Sequence, residues 1–323
     1  MKRETLTLVL ILLVLPVMGW AQGDFQKGIS YYKQGQYEKA VQEFEQLVKA
    51  DPSYESGFRV LGDSYLKLRQ YDRAARAFHR AAELDSGNFS SFLGAAVAEF
   101  NLGRYRDAIA TLEKGKATAK APKERYQWFQ LRGSSHYNLE QYAEAVPDLE
   151  QAVSIQRGEY NDVFQLGLCY LNLGDFAKAR QYLEQAVALG DKDGTAKQYL
   201  ERVDYQQALA AIRDEHYTQA AQTLRAYVQA HPDEADAWYN LGLAQLFNKQ
   251  LDAARSSFER CTSMASTNAD AYRRLGYIYE LQKHYPDALK SYRKATEIQP
   301  DPTVDESIKR VQERIRRQQQ ASG

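Results

Sequence analysis

The chain has 323 residues, a formal net charge of zero and 26% charged residues, a balance that excludes a disordered polyelectrolyte and gives no basic excess for nucleic acid. A single core of this length would split into domains, whereas a stack of repeats packs each unit only on its neighbours. Tyrosine, at 23 residues against 8 prolines, suits helices packed through aromatic knobs more than strands and turns.

Lys2 and Arg3 precede an apolar run from Leu6 to Met18, and the small residues Gly19 and Ala21 follow. This order of charged, apolar and small residues reads as a secretory signal peptide over residues 1–21. The run is shorter than the about 20 residues that span a bilayer. Extended from Thr5 to Ala21, it gives the alternative of an uncleaved inner-membrane anchor. No cysteine lies near the cut, so a bacterial lipid anchor at that site is excluded. Cleavage after Ala21 removes two positive charges and one negative, leaving a net −1. The expected location is the periplasm or outside the cell.

A small residue then recurs as a ruler: Gly28, Gly62, Ala96, Gly133, Gly167, Ala208, Gly242 and Gly276, at steps of 34, 34, 37, 34, 41, 34 and 34. Such a period marks a repeat architecture, and the eight ruler residues define eight repeats. A small side chain here lets the two helices of one repeat approach closely. The first repeat carries Gly28, Tyr31, Ala40, Phe44 and Pro52, and the second Phe58, Gly62, Tyr65, Ala74 and Phe78. Gly35, between the helices of the first, offers the left-handed backbone that ends a helix. The third repeat keeps the spacing but has Glu99 where the second has Tyr65. Three extra residues precede the fourth, and Pro122 suits the first position of a helix lengthened by about one turn. Pro147 falls in its second helix, where an interior proline removes a hydrogen bond and kinks the chain. Asn88-Phe89-Ser90 also matches a glycosylation sequon, a triplet frequent by chance.

After the fifth repeat, Gly190-Asp191-Lys192-Asp193-Gly194 breaks the array. Thr195 is the expected cap of one long helix leading into the sixth repeat. The expected organisation is repeats 1–5 over residues 22–191, a break with the start of that helix over 192–200, and repeats 6–8 over 201–302. Val304, Ile308, Val311 and Ile315 then form one apolar stripe on a capping helix over 303–319, before a disordered tail at 320–323.

The segment Ala235–Pro300 states the repeat twice. Trp238, Leu241, Gly242, Ala254 and Phe258 fall 34 residues before Tyr272, Leu275, Gly276, Ala288 and Tyr292. The pattern Trp-x2-Leu-Gly, Ala-x3-Phe and a closing Pro resembles the tetratricopeptide repeat (TPR) family. The resemblance implies an all-α fold, a right-handed superhelical solenoid of about eight helix-turn-helix repeats with a C-terminal capping helix. It also implies a non-catalytic scaffold whose first helices line a groove for an extended or helical peptide segment of a partner protein. Exported TPR proteins often serve bacterial cell-envelope assembly. The groove-facing places implied by the family include Phe25, Ile29, Leu93, Val97, Ser134, Leu168, Leu209 and Leu243, of which Leu168 and Leu209 read as packing. The candidate partner-binding residues are Arg59, Asp63, Gln130, Phe164, Tyr205, Tyr239, Asn240, Arg273, Arg274 and Tyr277. A family clamp for terminal carboxylates is disfavoured. Its five places hold Tyr205, Leu209, Asn240, Asp270 and Arg274, and Asp270 would repel the ligand.

Nothing in the sequence asks for a cofactor or metal. The five histidines, His79, His136, His216, His231 and His284, lie in no His-Glu-x-x-His or Cys-x-x-Cys arrangement, and no phosphate loop or nucleophile elbow occurs. Cys169 and Cys261 sit in different repeats, too many helix layers apart to bridge, and are expected as two buried free thiols. No nucleic-acid partner is expected, and the oligomeric state is not written in the sequence. Two rival readings stand beside the scaffold: a membrane-tethered adaptor, and an enzyme or its regulatory subunit with chemistry in residues that read as surface.

Overall fold

The computed structural model describes residues 18–322, so most of the expected signal peptide (1–21) lies outside the described residues. Among the described residues the chain forms seventeen α-helices, one short 3-10 turn at Lys116–Thr118, and no strand. The helices fall into two units. The first, up to Gly174, contains α1 (Met18–Lys33), α2 (Tyr37–Ala50), α3 (Glu55–Lys67), α4 (Tyr71–Leu84), α5 (Phe89–Asn101), α6 (Tyr105–Gly115), α7 (Pro122–Asn138), α8 (Tyr142–Ile155) and α9 (Tyr160–Asn172). The second, from Asp175, contains α10 (Phe176–Gly190), α11 (Thr195–Arg213), α12 (Tyr217–Ala230), α13 (Ala235–Phe247), α14 (Leu251–Met264), α15 (Ala269–Leu281), α16 (Tyr285–Ile298) and α17 (Pro302–Ser322). Within each unit, successive helices pack as antiparallel hairpins.

The ruler residue explains the hairpin. A methyl group built on Gly62 would stand 2.8 Å from the Phe78 ring, on Gly242 2.8 Å from Phe258, and on Gly276 2.6 Å from Tyr292. Each partner lies sixteen residues later, in the second helix of the same repeat, and is buried. Where the ruler is alanine the partner is smaller. Ala96 shares a core cluster with Leu112, and Ala208 with Leu224. Glycine also meets leucine, a methyl group on Gly133 falling 2.9 Å from Leu149, so the two side chains together set how closely the helices approach rather than summing to one fixed size.

The turn between the two helices repeats as well. The residue seven places after each ruler has a left-handed backbone in all eight repeats: Gly35, Arg69, Gly103, Glu140, Gly174, Glu215, Lys249 and Lys283, with φ between 56° and 78°. In the second repeat Gln70 N–H donates to the Tyr65 carbonyl at 2.9 Å and Arg69 N–H to that of Leu66 at 3.0 Å. That pair of bonds is a Schellman ending, which satisfies carbonyls the helix leaves over. Glycine accounts for three of the eight turns; the other five hold a strained residue.

A third recurring contact links successive repeats. The Tyr65 hydroxyl donates to Glu45, that of Tyr170 to Glu150, and that of Tyr279 to Glu259 at 2.7 Å. Each acceptor lies twenty residues earlier, on the second helix of the preceding repeat. In the third repeat the two roles change sides: Glu99, buried on α5, meets His79 Nε2 of α4 at 2.7 Å, again over twenty residues.

Pro122 is the first residue of α7, which has 17 residues where α3, α5, α9, α13 and α15 each have 13. The extra turn takes up the long step of the ruler. Pro147 lies inside α8, which runs on through it to Ile155. The expected cap at Thr195 is corrected. Gly194, with φ 74°, occupies the cap position, and Thr195 is already helical. The carboxylate of Asp191 accepts from Ala196 and Lys197 N–H at 3.0 Å, so an acid four residues upstream does the work assigned to the threonine hydroxyl. Asn88, of the sequon triplet, caps α5 by accepting from Ser90 N–H at 3.0 Å. Cys169 and Cys261 are free and buried, and burial pushes their thiols up, to about 12 and about 11.

The apolar stripe of α17 docks as expected, with Val304 and Val311 buried against Tyr285 and Tyr292. The helix continues to Ser322, past position 319, because nothing in Gln318–Ala321 breaks it. Its Arg310 grips Glu280 of α15 with two bonds of 2.8 and 2.9 Å, which hold the Glu280 carboxyl below its usual range. A carboxyl depressed by folding lends stability above its unfolded value and loses it as the pH falls through the folded one. Glu280→Gln should therefore lower the urea midpoint at neutral pH by the equivalent of about 1 kcal/mol, the difference shrinking as the pH falls below the ordinary carboxylate range. An equal loss at neutral and acidic pH would contradict the assignment.

Candidate functional site

The first helices of the repeats present one face in each unit. In the first unit, Phe25, Ile29 and Tyr32 of α1, Leu93, Val97 and Phe100 of α5, and Phe164 of α9 are all half-buried. Residues four and nine after the ruler are often aromatic and meet edge to face: Tyr32 with Tyr37 at 5.4 Å, Phe100 with Tyr105 at 5.2 Å, and Tyr137 with Tyr142 at 5.8 Å. These contacts hold the aromatic row against the turn beside it.

Six of the ten candidate residues have partners within the chain: Arg59 and Phe164 on their own helices, and Gln130, Tyr205, Asn240 and Arg273 on neighbouring elements. Arg59 turns back to Glu55 at 3.4 Å, and Glu55 accepts from Asn88 and Ser91 of the next repeat at 3.2 Å. Gln130 donates to Asp162, a fully buried carboxylate that also accepts from the Tyr126 hydroxyl at 2.8 Å. Burial raises the Asp162 carboxyl, and these two donors act against the rise. Phe164 stacks on Tyr160 with ring centroids 5.6 Å apart. In the second unit, Asn240 donates to the Tyr205 hydroxyl at 2.8 Å and to the Asp236 carbonyl at 2.9 Å. Arg273 pairs with Asp270 and reaches Asp301 at 2.8 Å, tying α15 to the start of α17. Leu168 is buried, as a packing residue should be, while Leu209 is half-buried.

The remaining four are less constrained. Tyr239 leans edge-on to Phe258 at 5.6 Å, and Arg274 is half-buried with no hydrogen-bond partner at Nε. Tyr277 is 46% exposed. Asp63 is half-buried between repeats, and burial pushes its carboxyl above the usual range while Arg59 and Lys67 act the other way. A carboxyl raised by folding contributes most below its unfolded value and loses that contribution as the pH rises through the folded one. Asp63→Asn should therefore raise the urea midpoint at pH 7, and the difference should close as the pH is lowered toward about 4. A destabilised variant at pH 7 would contradict this.

Two residues of this face escape the places counted from the family pattern. Phe247 and Leu281, five after the ruler, are 45% and 48% exposed. The same place holds Lys33, Lys67, Asn101, Asn138, Asn172 and Arg213 in the other repeats, so the change from polar to apolar was present in the sequence. Leu281 lies one helical turn after Tyr277, and the Phe247 ring is 5.0 Å from Tyr217. Among the described residues no group of three His, Cys, Asp or Glu side chains is placed to hold a metal ion, and no helix is long and apolar enough to cross a membrane.

Comparison with known proteins agrees with this layout. Sequence models of the tetratricopeptide repeat match residues 28–69, 59–123, 129–159, 163–193, 205–260 and 269–302. Among solved structures, the C-terminal part of a TPR repeat-containing protein of Cytophaga hutchinsonii aligns over 77% of this chain and 98% of its own, with 17% identity and a TM-score of 0.52. The P58(IPK) TPR domain aligns over 93% of this chain and 99% of its own, with 14% identity and a TM-score of 0.36. A MamA protein aligns over 54% and 94%, with 19% identity and a TM-score of 0.49. No curated protein matches the sequence.

Proposed function

The chain belongs to the tetratricopeptide repeat family, a protein–protein interaction scaffold, and from that premise we propose that its first-helix faces take an extended or helical segment of a partner protein. The observation that carries this reading is the exposure of Phe247, Tyr277 and Leu281 together on the first helices of the second unit. Exposed apolar side chains grouped on one face mark a contact surface, and aromatic residues favour the centre of such surfaces. The role is binding and presentation, with no chemical step.

The test is a display library of randomised peptides selected on the full chain and on Phe247→Ser/Tyr277→Ser/Leu281→Ser. All three side chains are exposed, so the variant should melt as the parent does. Loss of the selected peptides from the variant is the expected result, and equal binding by both proteins would overturn the site. Arg273→Ala is a poorer probe, because Arg273 also anchors α17 through Asp301.

We propose further that the protein works after export, in a bacterial cell-envelope assembly. The support is the charged, apolar and small-residue order of residues 1–21. Intact mass of the protein recovered from its native host should correspond to a chain starting at Gln22. A full-length chain held in the membrane would favour the tethered adaptor instead.

A further inference from the structure

We infer that the segment occupying the first-helix face of the first unit carries a lysine or arginine side chain that seats against Asp63. The inference rests on the reading that this face takes a partner segment. The residue one after the ruler is Ile29, Asp63, Val97, Ser134, Leu168, Leu209, Leu243 and Tyr277 in the eight repeats, so Asp63 alone carries a charge there. It is half-buried, and among the described residues no side chain hydrogen-bonds to it or pairs with it, Arg59 and Lys67 acting on it only through space. Arg59, one turn earlier on the same helix, is the natural partner but faces Glu55 at 3.4 Å. Glu55 in turn is held from the next repeat by Asn88 and Ser91.

The surroundings define the ligand. Ile29 and Tyr32 on α1 and Val97 and Phe100 on α5 stand on the helices packed to either side of α3. They offer apolar and aromatic walls to an aliphatic stem, and the carboxylate waits at its end. Arg59 and Lys67 on the same helix offset the charge of Asp63 through space, so no strong negative field covers this region. Selectivity therefore comes from contact at one carboxylate. A carboxylate taken partly from water without a donor is unfavourable, and a bound ammonium or guanidinium supplies the missing donors.

The same randomised peptide library tests this, selected on full-length protein and on Asp63→Asn and Asp63→Lys. Peptides from the parent should share one basic position. Replacing that residue with norleucine should weaken binding to the parent by about tenfold or more, with little further loss on Asp63→Asn. Asp63→Lys should select acidic residues at that position. Peptides that bind this unit without a basic preference, or with the same affinity for Asp63→Asn, would overturn the inference while leaving the wider reading intact. Peptides lost only from the Phe247, Tyr277 and Leu281 variant would do the same. A library that yields no binder on any protein would remove the segment-binding reading, and this inference with it.

Discussion

Replacing Arg69, Glu140, Glu215, Lys249 and Lys283 together with glycine is expected to stabilise the chain by about 4 kcal/mol, roughly 0.75 per site once the freedom glycine gains is set against the strain relieved. Each of the five sits at φ between 56° and 63°, where a side chain crowds the following carbonyl. The strain is about 1–2 kcal/mol per residue, and the extra freedom of glycine in the unfolded chain takes back about 0.5–1. All five side chains are exposed, so little contact is lost. The sites lie in different repeats, which makes their effects close to additive. Thermal melts of the single, paired and fivefold variants would check the series. The reverse change sharpens it: Gly103→Ala should cost about 1 kcal/mol although nothing lies within 4 Å of the added carbon. A neutral Gly103→Ala, or a fivefold variant no more stable than the parent, would show that these turns are not strained.

The second large effect is expected at Phe78. Its ring is clasped between two glycines, Gly62 on α3 and Gly94 on α5, so one side chain fills the space between two consecutive repeats. A methyl group on Gly62 would lie 2.8 Å from the ring, and one on Gly94 closer still. Phe78→Ala should cost about 3–5 kcal/mol, and Gly62→Ala or Gly94→Ala about 1–3 each from overpacking. The chain itself indicates the repair, since Ala96 stands against Leu112 in the next repeat. Gly62→Ala with Phe78→Leu should be more stable than the sum of its two single changes. Hydrogen exchange should place the loss in α3, α4 and α5, because repeats depend mainly on their neighbours. A loss spread evenly through the chain would contradict that picture.

The contrast between ruler and turn shows what the sequence could convey. The ruler is a size constraint, and size is written in residue type, so glycine and alanine at steps of mostly 34 led directly to the hairpins within each unit. The lengthened α7 was visible for the same reason, as a step of 37 with a proline at its start. The turn is a backbone constraint, and side chains report it only where glycine happens to meet it. Arg69 and Lys249 look like ordinary surface residues until their dihedral angles are known.

The candidate face divides in the same way. Its position was legible from the register, but the state of each polar group depended on partners about a repeat away. Asn240 meets Tyr205 over 35 residues and Arg273 meets Asp301 over 28. Neither pairing follows from local pattern. Asp63 is the converse, a residue whose interest comes from a bond it does not make.

The exchange of roles between Glu99 and His79 bears on the order of the repeats. In the second, fifth and eighth repeats the first helix brings the donor and the preceding second helix brings the acid, as with Tyr65 and Glu45. The third repeat brings the acid, so it must follow a repeat whose second helix lacks one at that place. Excision of the second repeat would set Glu99 against Glu45, two carboxylates at a half-buried junction. Moving the fifth repeat into third place would set Tyr170 against His79 and leave the junction without its acid. Repeats of equal length are thus not interchangeable parts: this junction carries an address, and a chain assembled in another order would meet its mismatch there first.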